Sequence, residues 1–167
     1  MPDTSAVTLS RFEPDDGPGV ISLILSIQRD EFGIPITLEQ QPDLAAIPTF
    51  YQSGRGDFWV AKSGELIVGT VGLKDIGNAQ AALRKMFVSV SFRGPQVAVA
   101  PRLLSLLLAE AQKRGITEIF LGTTDKFVAA HRFYEKHGFS EISKESLPNS
   151  FPVMPVDTKF YVFRFPG

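Results

Sequence analysis

The spacing of apolar and polar positions changes along the chain, and each spacing predicts an element. Val7 to Phe12 (VTLSRF) alternates, as a half-buried strand does. Val20, Leu23, Ile24, Ile27 and Phe32 then recur near helical spacing. Asp15 and Asp16 stand before them as cap candidates, and Gly33 and Pro35 end the run. A second helical segment is expected over about 43–52, carrying Leu44, Ile47 and Tyr51 and distorted by Pro48. Phe58 to Lys62 (FWVAK) and Glu65 to Asp75 (ELIVGTVGLKD) read as paired strands joined by a turn at Ser63-Gly64. A turn at Ile76-Gly77-Asn78 leads into a strand over 81–90, and the short connections favour antiparallel pairing.

The second half has a different rhythm. Leu103, Leu104, Leu107, Leu108 and Ala111 form a wide helical stripe, with Arg102, Ser105, Gln112 and Lys113 opposite it. Pro101 fits only a first helical turn, so this helix should begin near Ala98, and Gly115 ends it. Ile116 to Leu121 is a short buried strand, so strand, crossover helix and strand make 81–90 and 116–121 parallel neighbours. Thr123-Thr124-Asp125 can cap a helix over 126–137 that stops at Gly138. A strand over 139–143, a proline-rich loop over 147–155 and an aromatic strand over 158–165 follow. These elements give an α/β (α+β) class: a mixed, mostly antiparallel central sheet of six or seven strands, flanked by about four helices.

Composition narrows the function. At 167 residues the chain suits one domain over 1–167, and with 44% hydrophobic residues it can bury a core. A formal net charge of -1 argues against broad attraction to nucleic acid or an anionic membrane. The absence of cysteine excludes disulfides, a thiol nucleophile and Cys-ligated zinc. The two histidines, His131 and His137, lie too far apart for a helical metal pair, and each reads as a surface or capping residue, so no metal is expected. Trp59 beside Phe58 reads as packing. The Met-Pro-Asp-Thr-Ser start lacks the basic residues of a signal peptide, and the longest apolar stretch, Val20 to Ile27, is short of the ~20 residues of a membrane span. A cytoplasmic location is the expectation, and a homodimer stays open.

The chemistry concentrates in two segments. The apolar strand Met86-Phe87-Val88-Ser89-Val90 runs through Arg93-Gly94-Pro95-Gln96-Val97-Ala98 into the Leu-rich helix. A loop that feeds a helix N-terminus offers free N–H donors and a positive dipole end to an anion. Later comes Ala130-His131-Arg132-Phe133-Tyr134-Glu135-Lys136-His137-Gly138-Phe139. This ordered set, best over 81–142, resembles the GNAT (Gcn5-related) N-acetyltransferases, of which Phe-Tyr-Glu-Lys-x-Gly-Phe is a specific mark. The resemblance implies an acetyl-CoA-dependent transfer to an amine. It places the coenzyme A pyrophosphate on Arg93, Gly94, Gln96, Ala98 and Ala100, and the pantetheine arm along Phe87, Val88 and Val90. It makes the Val88 N–H a donor to the thioester carbonyl and Tyr134 the acid for the departing thiolate. Phe127, Ala130, Phe133 and Lys136 become further cofactor contacts. A tyrosine stays protonated at neutral pH and can donate to a thiolate.

The chain departs from the family pattern in its phosphate loop, usually Q/R-x-x-G-x-G/A. Anchored on Arg93, the loop has Gln96 where glycine belongs; anchored on Leu103-Leu104, it has Ala98 and Ala100 at the small positions and Pro95 at the basic one. The second alignment leaves the helix unbroken and is preferred, and Ala98 then fits only with negative φ. No general base is evident. Leu83-Arg84-Lys85-Met86 is basic where a carboxylate is usual, and Glu31, Asp57, Asp75 and Asp125 are distant. Arg84 and Lys85 alternate on a strand, so they should face opposite ways; a solvated face is the favoured reading, and contact of one of them with an anionic acceptor is the alternative. The acceptor should be set by 15–52 and the 144–156 loop, with Tyr51, Phe58 and Phe151 as candidate liners. A non-catalytic acyl-CoA-binding module is the alternative to an enzyme.

Overall fold

The computed structural model describes residues 6–166; the N-terminal start discussed above lies outside them. Strands β1 (Val7–Arg11), β2 (Asp57–Ser63), β3 (Leu66–Gly77), β4 (Gln80–Val88), β5 (Glu118–Thr123), β6 (Ser140–Ile142) and β7 (Lys159–Arg164) form one sheet. Its order is β1-β2-β3-β4-β5-β7-β6. Helices α1 (Gly17–Leu25) and α2 (Ile47–Phe50) precede β2, α3 (Val99–Lys113) connects β4 to β5, and α4 (Val128–Lys136) follows β5. Among the described residues only β4 and β5 pair in parallel, as the crossover helix demands. The mixed sheet with four helices is the expected architecture.

The alternation of β2 divides the core. Trp59 and Ala61 face the layer of Leu103, Leu104, Leu107 and Ala111 on α3. Phe58 and Val60 face Val20 and Ile24 of α1 and Ile47 and Tyr51 around α2. The sheet is therefore covered on both faces, and β2 is buried over its first five residues. Asp57, also buried, is held by Arg11, Arg114, Gln52 and the Phe58 N–H.

Several boundaries differ from the sequence expectation. The β2–β3 turn is Gly64-Glu65, one residue late, because Ser63 still pairs with Leu66 and Gly64 takes the left-handed φ of +61°. The expected 43–52 helix is split into a 3-10 turn, Pro42–Ala45, and the single turn of α2, since Pro42 and Pro48 both lack the N–H a continuous helix needs. β4 ends at Val88, and Val90–Phe92 turns as a 3-10 segment. Asp16 stands at the N-cap of α1 without bonding the helix; its carboxylate instead takes the Glu13 N–H and pairs with Lys62. Neither do Thr123, Thr124 and Asp125 cap α4 through a side chain: its N-cap is Phe127. His131 is buried rather than exposed, with Nε2 2.9 Å from the Thr124 carbonyl oxygen.

Leu107 is fully buried between α3 and the sheet, whereas Leu66 at the β3 start is exposed. Leu107→Ala should cost about 2–5 kcal/mol in urea unfolding, and Leu66→Ala less than about 0.5 kcal/mol.

Candidate functional site

The parallel ladder between β4 and β5 spans three residue pairs, Gln80–Glu118, Ala81–Ile119 and Ala82–Phe120, and then stops. Beyond it the strands part, and a cavity of about 500 Å³ occupies the wedge. Leu83 to Val88 form one wall and Leu121 to Thr124 the other. α4 adds Ala130, Phe133 and Tyr134, and Ala100 comes from the start of α3. Phe127 closes the side: its ring meets the Phe32 ring edge-on at 4.8 Å and the Phe87 ring at 6.0 Å.

The parting coincides with a β-bulge in β4. Gly72 pairs with Arg84 and Thr70 with Phe87, so β4 carries one extra residue between them. Lys85 sits in the bulge with φ +57°. The buried Thr70 hydroxyl donates to the Lys85 carbonyl at 2.7 Å and satisfies the group that the bulge frees. The bulge overturns the expectation that Arg84 and Lys85 face opposite ways on a solvated strand. Both are buried, and each has a terminal nitrogen 3.8 Å from Asp43 Oδ2. The Tyr51 hydroxyl donates to the same carboxylate at 2.5 Å and accepts from Arg84 Nε at 3.1 Å. Lys85 Nζ donates to Gln41 Oε1 at 2.6 Å, and Gln41 is locked to Gln28 by a reciprocal amide pair. Burial first, and the Arg84 charge after it, push the Lys85 ammonium down to about 8 against the pull of Asp43 and Asp157.

Past the bulge the ladder orients Val88. Ser89 N–H bonds the Val68 carbonyl on β3, so antiparallel alternation turns the N–H and C=O of Val88 away from β3. The Val88 carbonyl accepts Arg93 Nε at 2.8 Å. The other Arg93 nitrogens grip Glu31 at 2.5 and 2.7 Å, and this pairing holds the Glu31 carboxyl below its ordinary value. Ala98 opens α3 with φ +50°, the reverse of the negative φ the sequence reading required. This left-handed position favours glycine, and an alanine there carries roughly 1–2 kcal/mol of backbone strain. Behind it, the Val99 and Ala100 N–H groups lie in the first helical turn, where no intrahelical acceptor exists.

Tyr134 projects from α4 with a buried ring, and no hydrogen bond from the described residues reaches its hydroxyl. Burial raises the phenol above its ordinary range, so it stays protonated at neutral pH.

Of the residues singled out in the sequence, the structure brings Phe87, Val88, Arg93, Ala100, Phe127, Ala130, Phe133 and Tyr134 to the cavity. Val90, Gly94, Gln96, Ala98 and Lys136 are not in its wall; Val90 points to solvent at 67% exposure and Lys136 is exposed on α4. Phe151 lines it, whereas Tyr51 and Phe58 lie in the core behind it. None of Glu31, Asp57, Asp75 and Asp125 lines it; the carboxylate that does is Asp157, in the loop before β7. Arg84 and Lys85 are singled out in the sequence but placed on a solvated face, and Asp157 escapes the sequence reading. A bulge register and a proline-rich loop leave no periodic signal, and a basic pair on a buried strand was the only hint.

The acetyltransferase (GNAT) family model matches residues 22–139. The chain belongs to the GNAT acetyltransferase family. A GNAT-family acetyltransferase structure from Staphylococcus aureus is 38% identical and superposes with a TM-score of 0.91, covering 95% of this chain and 99% of that one. The probable N-acetyltransferase family 8 member 5 of Mus musculus is 37% identical over 111 residues, 64% of this chain and 48% of that protein. This GNAT chain thus spans about half the length of the curated relatives it matches. The PaiA N-acetyltransferase of Thermoplasma acidophilum, solved with coenzyme A, shares the fold at a TM-score of 0.71 and 16% identity, covering 96% of this chain and 99% of that one. Among the described residues, no helix is long and apolar enough to cross a membrane.

Two stability predictions follow from this geometry. Ala98→Gly relieves the left-handed strain and should raise unfolding stability by about 1 kcal/mol in chemical denaturation. Lys85 binds its proton less tightly folded than unfolded, so its contribution works against folding below about pH 8. That penalty lifts as pH rises from about 8 towards the unfolded-state value of about 10.4. Wild type should therefore gain stability relative to Lys85→Met between neutral pH and about pH 9.5 in matched urea titrations, before the tyrosines of the unfolded chain ionise near pH 10.

Proposed function

We propose that the chain transfers an acetyl group from acetyl-CoA to a primary amine of a small molecule or peptide, by direct attack with both substrates bound. The observation that carries this reading is the wedge between β4 and β5. It sets the outward N–H of Val88 and the unpartnered hydroxyl of Tyr134 on one apolar cavity. The cavity fits the cosubstrate: an unpaired inner edge of β4 beyond Ala82 suits an extended amide-bearing arm, and Phe87, Phe127 and Phe133 give it apolar sides. In this reading Phe87, Val88 and Val90 follow the pantetheine arm, and the 93–100 turn receives the pyrophosphate. The Val99 and Ala100 N–H groups lead there, because Arg93 is already engaged by Val88 and Glu31. Gly94, Gln96 and Ala98 shape that turn, while Ala130 and Lys136 offer further contacts along α4.

Acetyl-CoA supplies the activated acetyl thioester. The chain supplies placement and protons. Val88 N–H is aimed to polarise the thioester carbonyl. The amine nitrogen forms the new C–N bond as the C–S bond breaks, and Tyr134 gives its proton to sulfur. Of the protons the amine sheds, one restores the Tyr134 phenol and the remainder pass to water, so a free thiol and an amide leave. With no cysteine in the chain, no thiol can carry the acetyl group between the two substrates.

The same absence makes the assay clean, since any thiol that appears comes from coenzyme A. Thiol release across an amine panel is expected, with Tyr134→Phe lowering kcat about a hundredfold. Calorimetric affinity for coenzyme A should stay unchanged, because the lost hydroxyl has no protein partner. Full-rate turnover by Tyr134→Phe overturns the acid assignment. Binding without turnover on any amine makes the chain an acyl-CoA-binding module, and no binding overturns both.

A further inference from the structure

One wall of the cavity, built from the β4 bulge and the loop before β7, carries charge in an otherwise apolar space. Arg84 is committed: Nε donates to the Tyr51 hydroxyl, Nη1 to the Pro152 carbonyl at 3.0 Å, and Nη2 to Met154 Sδ at 3.4 Å. Lys85 is less committed. Its ammonium gives one N–H to Gln41, stands 3.8 Å from Asp43 and still has donors to offer. Asp157 faces the cavity from the loop. Its Oδ2 accepts the Met154 N–H at 2.9 Å and lies 2.7 Å from where a side chain on Gly122 would begin. Glycine at 122 thus lets this carboxylate sit against β5, where the wedge opens, and no hydrogen bond from the described residues occupies its Oδ1.

We propose that this wall selects an acceptor bearing an amine and a carboxylate together, an α-amino acid or a larger molecule with that headgroup. Lys85 holds the carboxylate and Asp157 Oδ1 receives the amine. This rests on the acetyl-transfer reading above and deepens it. The charge inventory favours such an acceptor. Arg84 and Lys85 balance Asp43 and Asp157, so a zwitterion leaves the buried wall neutral, while a simple amine or a simple acid leaves one charge unmatched away from water. It also gives the reaction its missing proton acceptor. The ammonium passes one proton to the Asp157 carboxylate, which frees the lone pair that attacks. Asp157 later releases that proton to water. Burial raises the proton affinity of Asp157 above that of an ordinary aspartate, although the Met154 N–H and the charges of Arg84 and Lys85 oppose the shift.

The test compares each standard L-α-amino acid with its α-carboxamide and its decarboxylated amine, by thiol release from acetyl-CoA. Coenzyme A affinity is measured in parallel by calorimetry. The wild type should prefer acids over their amides by about tenfold to a hundredfold in kcat/KM. Lys85→Met should erase that preference through KM. Asp157→Asn should lower kcat about a hundredfold and raise KM for the acids as well, since the variant loses both the proton acceptor and the partner of the ammonium. Retained coenzyme A binding certifies that both variants fold; where one does not, the wild-type ratio decides alone. Equal use of amides and acids, or turnover of carboxylate-free amines only, overturns this inference and leaves the acetyl-transfer reading standing. So does acetylation of none of the acids while coenzyme A binds. Failure of wild type to bind coenzyme A overturns both.

Discussion

Two parallel strands share a hydrogen-bond ladder only while their directions agree, and β4 and β5 agree for three residue pairs. The rest of the site is a consequence of that limit. β5 is held on its other side by β7 over six consecutive pairs, so it cannot follow β4. β4 in turn carries an extra residue opposite β3, and a bulge bends and twists the strand that contains it. The result is a wedge with two inner strand edges, a type of edge that soluble proteins normally cover. Here α4 and Phe127 cover it only partly, and the uncovered remainder is the cavity.

The same bulge places charge in the interior. Inserting Lys85 breaks the alternation that would send neighbouring side chains to opposite faces, so Arg84 and Lys85 converge on Asp43. Two buried cations are tolerable because the surrounding groups complete their hydrogen bonds: Tyr51 links Asp43 to Arg84, and the Gln28–Gln41 amide pair fixes the acceptor for Lys85. Among the described residues no buried side-chain polar atom lacks a partner. Tyr134 stands apart from these groups: its ring is buried, but its hydroxyl has no protein partner and is not sealed in the core, and the side on which it is open is the cavity.

What the sequence could show depends on how local each cause is. The Leu103–Leu107 stripe, the crossover helix and the Phe-Tyr-Glu-Lys-x-Gly-Phe segment are encoded over a few consecutive residues, and the structure bears out the elements they imply. The bulge is not local. Its position is fixed by Thr70, fifteen residues away on β3, whose hydroxyl meets the Lys85 carbonyl. Periodicity applied to β4 alone therefore assigned Arg84 and Lys85 to opposite faces. Asp157 was invisible for another reason: it lies in a loop whose course is set by prolines and by its contact with Gly122, neither of which repeats. Ala98 escaped because its left-handed φ belongs to a position that usually declares itself by glycine, and here the side chain hides it.

Arg93 shows how a motif residue can be real and still act differently from its surface reading. Read in sequence, it is a cation offered to a phosphate. In the fold its guanidinium ties the end of β4, through the Val88 carbonyl, to Glu31 beyond α1. That clamp occupies the carbonyl of Val88 while leaving its N–H free, so the strand presents a donor and no competing acceptor at that residue. A chain of net charge -1 cannot attract a polyanion from a distance, and its most obvious cation is half neutralised by a bidentate carboxylate. In the proposed reading, attraction for a phosphate is short-ranged and comes from the first-turn N–H groups of α3, which Ala98 precedes with a strained φ. On this view the unusual alanine, and not the arginine, is the residue at which the loop's geometry is decided.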